Sequence, residues 1–238
     1  GEKEKWFNQT LQDVIELPGS MPERLKGDDV TVRTRWTGSL YDSSYYYNPY
    51  MEKYRREGNV KLPFFLTPDK HYVGVAWYQK EINLPKDWKK ERIVLVLERP
   101  HIESTVWVNG HKVGMQNSLC VAHIYDVTRY VRPGKCNITI RIDNRIKEIN
   151  VGPDSHSITD QTQGNWNGIV GRICLQATPH VYFDDIQVFP EPEQKLARVK
   201  LRIKSSNKSS TTAQVRLSAE SFNAEKKHIL PVLMQEVK

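Results

Sequence analysis

Long apolar runs are what the 238-residue chain most plainly lacks: none approaches the roughly 18 residues of a membrane span, which excludes a helical membrane anchor within these residues. Cysteine is scarce. Cys120, Cys136 and Cys174 stand far apart and form no Cys-x-x-Cys pair, so neither a zinc site nor a thioredoxin-type motif is supported. Cys174 lies in the apolar run Ile173-Cys174-Leu175 and reads as a small buried hydrophobe. None of the three has the neighbouring His pattern of a nucleophile. The charged start Gly1-Glu2-Lys3-Glu4-Lys5 leads straight into Trp6 without the apolar core of a signal peptide. Helical periodicity is also rare, which turns attention to strands.

What is present fits a globular chain with a core: 38% hydrophobic, 26% charged and 10% aromatic residues, with a mean hydropathy of -0.61. The net charge of +7 invites a nucleic-acid partner, but its distribution argues against one. Residues 195–238 hold ten Lys or Arg against three Glu, so the whole excess sits there and residues 1–194 are neutral. In that segment Ala197, Val199, Leu201 and Ile203 alternate with Arg198, Lys200, Arg202 and Lys204, a period of two that lines up four cations on one strand face. No aromatic residue lies between Phe189 and Phe222 to stack on bases, so a solvated outer face is expected, with neither nucleic acid nor membrane as partner.

Period-two segments bounded by Pro, Gly, Asn and Asp recur along the chain, the pattern of an all-β sandwich or barrel. The run Ile93-Val94-Leu95-Val96-Leu97 suits a strand buried on both faces. Thr105-Val106-Trp107-Val108 leads into Asn109-Gly110, a pair that tolerates the positive φ of a type I′ hairpin turn. Ile138, Ile140 and Ile142 alternate with Thr139, Arg141 and Asp143, which predicts one core face and one wet face. Residues 173–177 and 186–189 add further strands. Pro190-Glu191-Pro192-Glu193 reads as a linker, giving a first domain over 1–190 and a second over 191–238. Beyond it, the 197–203 strand, the polar turn 205–210 and the alternating Ala213, Val215, Leu217 and Ala219 read as a hairpin. Two or three strands fall short of the roughly seven of an immunoglobulin-like sandwich, so the second domain is expected to be truncated and the chain a piece of a longer protein.

Several motifs in order carry a resemblance. Trp77-Tyr78-Gln79-Lys80-Glu81-Ile82-Asn83-Leu84-Pro85 is followed by Leu95-Val96-Leu97-Glu98, by Thr105-Val106-Trp107-Val108-Asn109-Gly110 with Val113-Gly114, by Tyr125-Asp126-Val127-Thr128, and by residues 137–144. Leu17-Pro18-Gly19 and Gly168-Ile169-Val170-Gly171-Arg172-Ile173 flank them. Together these resemble the N-terminal sugar-binding domain of glycoside hydrolase family 2, which includes β-galactosidases, β-glucuronidases and β-mannosidases. The resemblance implies a jelly-roll β-sandwich, similar to galactose-binding domains, followed by a partial immunoglobulin-like β-sandwich. It also implies a catalytic (β/α)₈ barrel, for which this chain has neither the length nor the pattern. Family members take the acid/base Glu from an Asn-Glu dipeptide on the barrel, and none of the asparagines here precedes a Glu. No catalytic residue, no metal ligand and no cofactor are therefore expected in this piece.

The long loop 152–168 is rich in amides and hydroxyls and carries Trp166. Sugars need donors and acceptors for their hydroxyls and a flat surface for their apolar faces, which such residues supply. In the family the corresponding loop borders the substrate pocket, so the resemblance implies carbohydrate-binding roles for Asp160, Gln161, Asn165, Trp166 and Asn167, with Arg172 as structural support. Thr162 falls where β-galactosidases carry a second Asp, a departure bearing on galactose specificity and on a sodium or calcium site. The alternative is that the loop satisfies its own backbone and Trp166 plugs the sandwich edge. His156 reads as a surface residue. The tyrosine-rich stretch from Tyr41 to Tyr54 either offers stacking platforms for glycans or covers the sandwich flank. Asn8, Asn137 and Asn207 sit in glycosylation acceptor patterns, irrelevant for a bacterial source.

The expected function is that of the non-catalytic N-terminal portion of a β-galactosidase-like glycoside hydrolase, bracing the barrel and lending a loop to its pocket. Its partners would be the carbohydrate substrate and the barrel, with self-association left open and a periplasmic or extracellular location. The alternatives are an autonomous carbohydrate-binding module and a purely structural sandwich.

Overall fold

The computed structural model describes residues 1–37, 42–63, 65–147, 160, 164–206, 212–220 and 231–237. Its strands, in chain order, are β1 (Gly19–Ser20), β2 (Asp28–Asp29), β3 (Lys70–His71), β4 (Val75–Leu84), β5 (Arg92–Leu97), β6 (Glu103–Val108), β7 (His111–Asn117), β8 (His123–Asp126), β9 (Gly134–Asp143), β10 (Gly168–Ile169), β11 (Ile173–Thr178), β12 (Val181–Glu191), β13 (Leu196–Ser205), β14 (Ala213–Leu217) and β15 (Leu233–Val237). Helix is limited to α1 (Ser44–Tyr47) and short 3₁₀ turns among the described residues. Two compact units result, Gly1–Pro179 and His180–Lys238, a division earlier in the chain than the expected 190/191 boundary.

The first unit is a sandwich of two antiparallel sheets, one in the order β4-β9-β6-β7 and one in the order β11-β5-β8. Alternation decides which side chains fill it. Ile138, Ile140 and Ile142 of β9 and Val106 and Val108 of β6 share a core with Ile93, Leu95 and Leu97 of β5. Full burial of each such side chain contributes about 1.5–3 kcal/mol. As expected, β5 is buried on both faces, since Val94 and Val96 are covered as well. The β6–β7 turn forms at Asn109-Gly110, with φ of 49° and 78°. The Asn109 side chain then ties that turn to β9 by accepting from the Asn137 N–H at 2.9 Å.

The outer face of the four-stranded sheet is wet only in part, with Glu81, Lys135 and Met115 exposed. Thr139 and Asp143 are buried, because Phe7 stacks on Trp107 at 5.3 Å, Trp77 leans on Trp107 at 5.1 Å and Trp6 meets Trp77 edge-on at 6.0 Å. Trp107 is thus buried beneath the N-terminal residues on the outer face, while its neighbours Val106 and Val108 point into the sandwich. Beside the aromatics, Asp143 gathers Arg145 at 2.7 Å and Arg141 at 3.3 Å, and Arg141 also reaches Glu103 at 2.7 Å. Cys174 is half-buried on β11, not fully covered as its apolar neighbours suggested.

The second unit corrects two expectations. Pro190 and Glu191 belong to β12, and Pro192–Gln194 form the 3₁₀ turn that joins β12 to β13, so the segment is the end of a hairpin and not a linker. Proline is tolerated there because each strand of a two-stranded hairpin has an open edge where no N–H is required. The predicted pairing of 197–203 with 213–219 does not occur either, since β13 pairs with β12, and β14 pairs with β15. The short turn makes β12 the nearer partner. Arg198, Arg202 and Lys204 form the predicted cationic face, with partners in Glu191 and Asp184.

Candidate functional site

The loop that carries the sequence-predicted site ends in β10, which pairs with β1 and aligns Gly19 with Ile169. Gly168 has φ of 149°, and a Cβ at this position would run into the Gly19 carbonyl oxygen, so the close approach requires glycine. The same crossing holds Asn167, whose carbonyl accepts from the Met21 N–H at 2.7 Å. On the other side, Pro100 bridges Ile169, the His101 N–H donates to Gly168 O at 3.2 Å, and the Val170 N–H donates to Arg99 O at 3.3 Å. The loop end is therefore wedged between two stretches of backbone.

The described amides of this loop, Asn165 and Asn167, face the protein. Asn167 is fully buried; its Oδ1 accepts from the Tyr78 hydroxyl at 2.7 Å and its Nδ2 donates to Gly74 O and Ile142 O, both at 3.1 Å. Asn165 accepts from Asn144 Nδ2 at 3.0 Å, and its own Nδ2 donates to Thr37 Oγ1 and to Asn144 O, both at 3.1 Å. Asn144 is the hub: its Oδ1 accepts from the Gly74 N–H at 2.8 Å and its Nδ2 also donates to Tyr72 O at 2.7 Å. Buried Asp160 accepts from the Thr37 N–H at 2.5 Å, and its carbonyl accepts from the Leu66 N–H at 3.0 Å. Burial raises the Tyr78 hydroxyl far above its ordinary pKa, which keeps it a neutral donor. With donors and acceptors taken up inside the chain, Asn165 and Asn167 staple the loop to the sandwich.

Trp166 differs from its neighbours. Its side chain is only half-buried, and its ring lies 4.5 Å from the His101 imidazole at an interplanar angle of 48°. His101 is 6% exposed, its Nδ1 has no hydrogen-bond partner among the described residues, and burial pushes its pKa down to about 4, so the ring is neutral at ordinary pH. Gln161, like His156, lies outside the described residues. Arg172 pairs with Glu98 at 2.9 Å while its backbone N–H donates to the same carboxylate at 3.2 Å. His101, Asn144 and Tyr78 were not singled out in the sequence. Tyr78 and Asn144 stand out there only as members of strand motifs, and His101 not at all.

The tyrosine-rich segment divides. Tyr45 is buried with Leu62 and Phe65, and its hydroxyl donates to Tyr54 O at 2.8 Å, so this tyrosine covers a small second core. Tyr46, Tyr47 and Tyr50 stay exposed, Tyr50 at 85%. Tyr41 lies outside the described residues.

The first unit is thus a two-sheet antiparallel β-sandwich with a loop fastened by buried amides and a partly buried tryptophan at its end. Residues 24–179 match the family described as "Glycosyl hydrolases family 2, sugar binding domain", and the chain belongs to glycoside hydrolase family 2. The chain is 28% identical over 162 residues to human (Homo sapiens) β-glucuronidase, which covers 58% of this chain and 25% of that protein. It is also 28% identical over 149 residues to the mouse (Mus musculus) enzyme, covering 54% and 23%. Thus it spans about a quarter of these relatives' length. Among solved structures, a Ruminococcus gnavus β-glucuronidase superposes with a TM-score of 0.57 at 18% identity, over 98% of this chain and 35% of that one. A β-glucuronidase from an uncultured Clostridium sp. gives 0.56 at 19% identity, over 100% and 36%. At such identities the shared property is the fold.

Proposed function

We propose that this chain is the non-catalytic N-terminal part of a family 2 glycoside hydrolase that cleaves β-linked glycosides, with the loop ending at Gly168 bordering the pocket of a catalytic barrel outside this chain. The observation that carries the reading is the division of labour within the loop: Asn165 and Asn167 are consumed in fastening it, whereas Trp166 remains partly open to offer a flat face to a sugar ring. Gln161 belongs to the same loop in sequence and joins Trp166 in the proposed sugar-bordering pair, whereas buried Asp160 helps fasten the loop through the Thr37 N–H.

The relatives are named β-glucuronidases, which moves the proposed substrate class from β-galactosides toward β-glucuronides. Arg145 and Lys147, which follow β9, are held by Asp143 and Glu103. We assign recognition of a substrate carboxylate to the barrel. We place the remaining strands 181–237 as the start of an immunoglobulin-like domain. The test is a titration of this chain with simple β-glucuronides and β-galactosides, beside turnover of both by the full-length protein. The expected result is no binding at millimolar ligand by the chain alone and preferential β-glucuronide hydrolysis by the full-length protein. Tight binding by the chain alone would make it an autonomous carbohydrate-binding module instead.

A further inference from the structure

We infer that His101 is a positioning residue whose imidazole sets the plane of the Trp166 ring, an inference that rests on the loop bordering the sugar pocket. The rings meet at 4.5 Å with 48° between their planes. Their backbones are held in register by the Pro100–Ile169 bridge and the His101 N–H to Gly168 O bond of 3.2 Å. A ring fixed this way cannot slide along the loop without breaking the pairing on both sides.

The manner of contact follows from what the imidazole does not do. Its Nδ1 is buried and has no hydrogen-bond partner among the described residues, none of which therefore holds the side chain through that nitrogen. What it brings to Trp166 is a flat, rigid face at aromatic contact distance. Burial also keeps the ring uncharged at neutral pH, so it acts as an aromatic surface and not as a cation. Asn165 and Asn167 immobilise the backbone on each side of Trp166, which leaves the indole torsions as the freedom that His101 restrains.

The test uses the full-length hydrolase with a chromogenic β-glycoside that it turns over, comparing KM, kcat and melting temperature for His101→Leu, His101→Phe and Trp166→Ala. An aromatic pair of this kind corresponds to about a twofold to tenfold effect. His101→Leu should raise KM by that factor with kcat within about twofold, His101→Phe should restore KM, and Trp166→Ala should do at least as much damage as His101→Leu. If Trp166→Ala raises KM but His101→Leu does not, the positioning role is overturned while the loop reading survives. Equal damage from Leu and Phe also overturns it, since that pattern assigns the imidazole a hydrogen-bonding role. An unaltered KM in Trp166→Ala overturns the loop reading and the inference together. Should His101→Leu not fold, His101→Phe decides alone: KM near that of the unsubstituted enzyme supports the inference, and a rise equal to that of Trp166→Ala overturns it.

Discussion

The strands of the sandwich and those of the His180–Lys238 unit carry the same alternation but meet opposite fates. Ile142 on β9 is 0% exposed, whereas Ile186 and Val188 on β12 are 55% and 59% exposed although each has an apolar cross-strand partner, Leu201 and Val199. Period two sets which side of a strand is apolar; whether that side is buried depends on a second layer. In the first unit the three-stranded sheet supplies that layer, and in the second the described residues form two hairpins without one covering the other's apolar face.

The sharpest way to break this comparison is to truncate one residue from each. Ile142→Ala should cost about 2–5 kcal/mol, because it leaves a cavity in a filled core. Val188→Ala should stay within about 0.5 kcal/mol, as for other exposed positions. Urea denaturation of both variants measures this, and equal shifts in the transition midpoint would mean that the apolar face of β12 is covered in solution.

Acid should separate the units next. Burial lowers the pKa of His71, His101 and His123, all in the sandwich unit. A histidine whose folded pKa lies below its unfolded value takes up protons first in the unfolded chain. Its effect on stability is absent above pH ~6.5, and stability is lost as pH falls from there toward the folded pKa, about 4 for His101. The full span for His101 is of the order of 3 kcal/mol. Further down, burial raises the Asp143 carboxyl, but hydrogen bonds from Arg145 and Lys147 outweigh it and hold the pKa well below the ordinary range. That contribution is present above about pH 4 and is lost as pH falls below it. A pH series of melting curves should show His101→Phe flattening the upper part of this decline and Asp143→Asn the lower.

Between these effects lies the loop staple. Asn167→Ala removes the acceptor of the Tyr78 hydroxyl and the donor to two carbonyls, and leaving buried polar groups unpaired costs about 1–3 kcal/mol. The same substitution at exposed Asn59, which donates to Lys53 O, should change little. Thermal melts of the two variants provide the check, and a silent Asn167→Ala would remove the basis for treating this loop as fastened.

Much of the architecture was legible because local chemistry and burial agree. Asn109-Gly110 turned where its tolerance of positive φ required, and 93–97 became a strand covered on both faces. The outer face of β9 was misread because Thr139, Arg141 and Asp143 look solvated until Phe7 and Trp77 are brought over the sheet from distant parts of the chain and Asp143 is paired with Arg141 and Arg145. Pro190 was misread because proline interrupts only those strands whose N–H is needed. At the loop, an Asn in sequence does not declare whether its partner is a sugar hydroxyl or the Ile142 carbonyl, and the pairing of Asn167 with Tyr78 joins residues 89 positions apart. His101 left no sequence signal because its contact with Trp166 is likewise long-range.

The smallest effect belongs to the basic face of β13. Arg198 pairs with Glu191 at 2.8 Å and Lys204 with Asp184 at 3.0 Å, both cations largely in solvent. Water and salt screen such pairs, and holding two long side chains in one geometry offsets the attraction, so exposed pairs add little to stability. Arg198→Ala combined with Lys200→Ala should leave the melting temperature of the chain unchanged. The same variant tests the charge argument made from sequence. If the face is solvated and not a nucleic-acid surface, the unsubstituted chain and the double variant should both fail to retard a DNA or RNA duplex at physiological salt, where a polyphosphate partner would otherwise be bound through counterion release. Retardation by the unsubstituted chain that vanishes in the variant would give β13 a function that its alternation alone does not require.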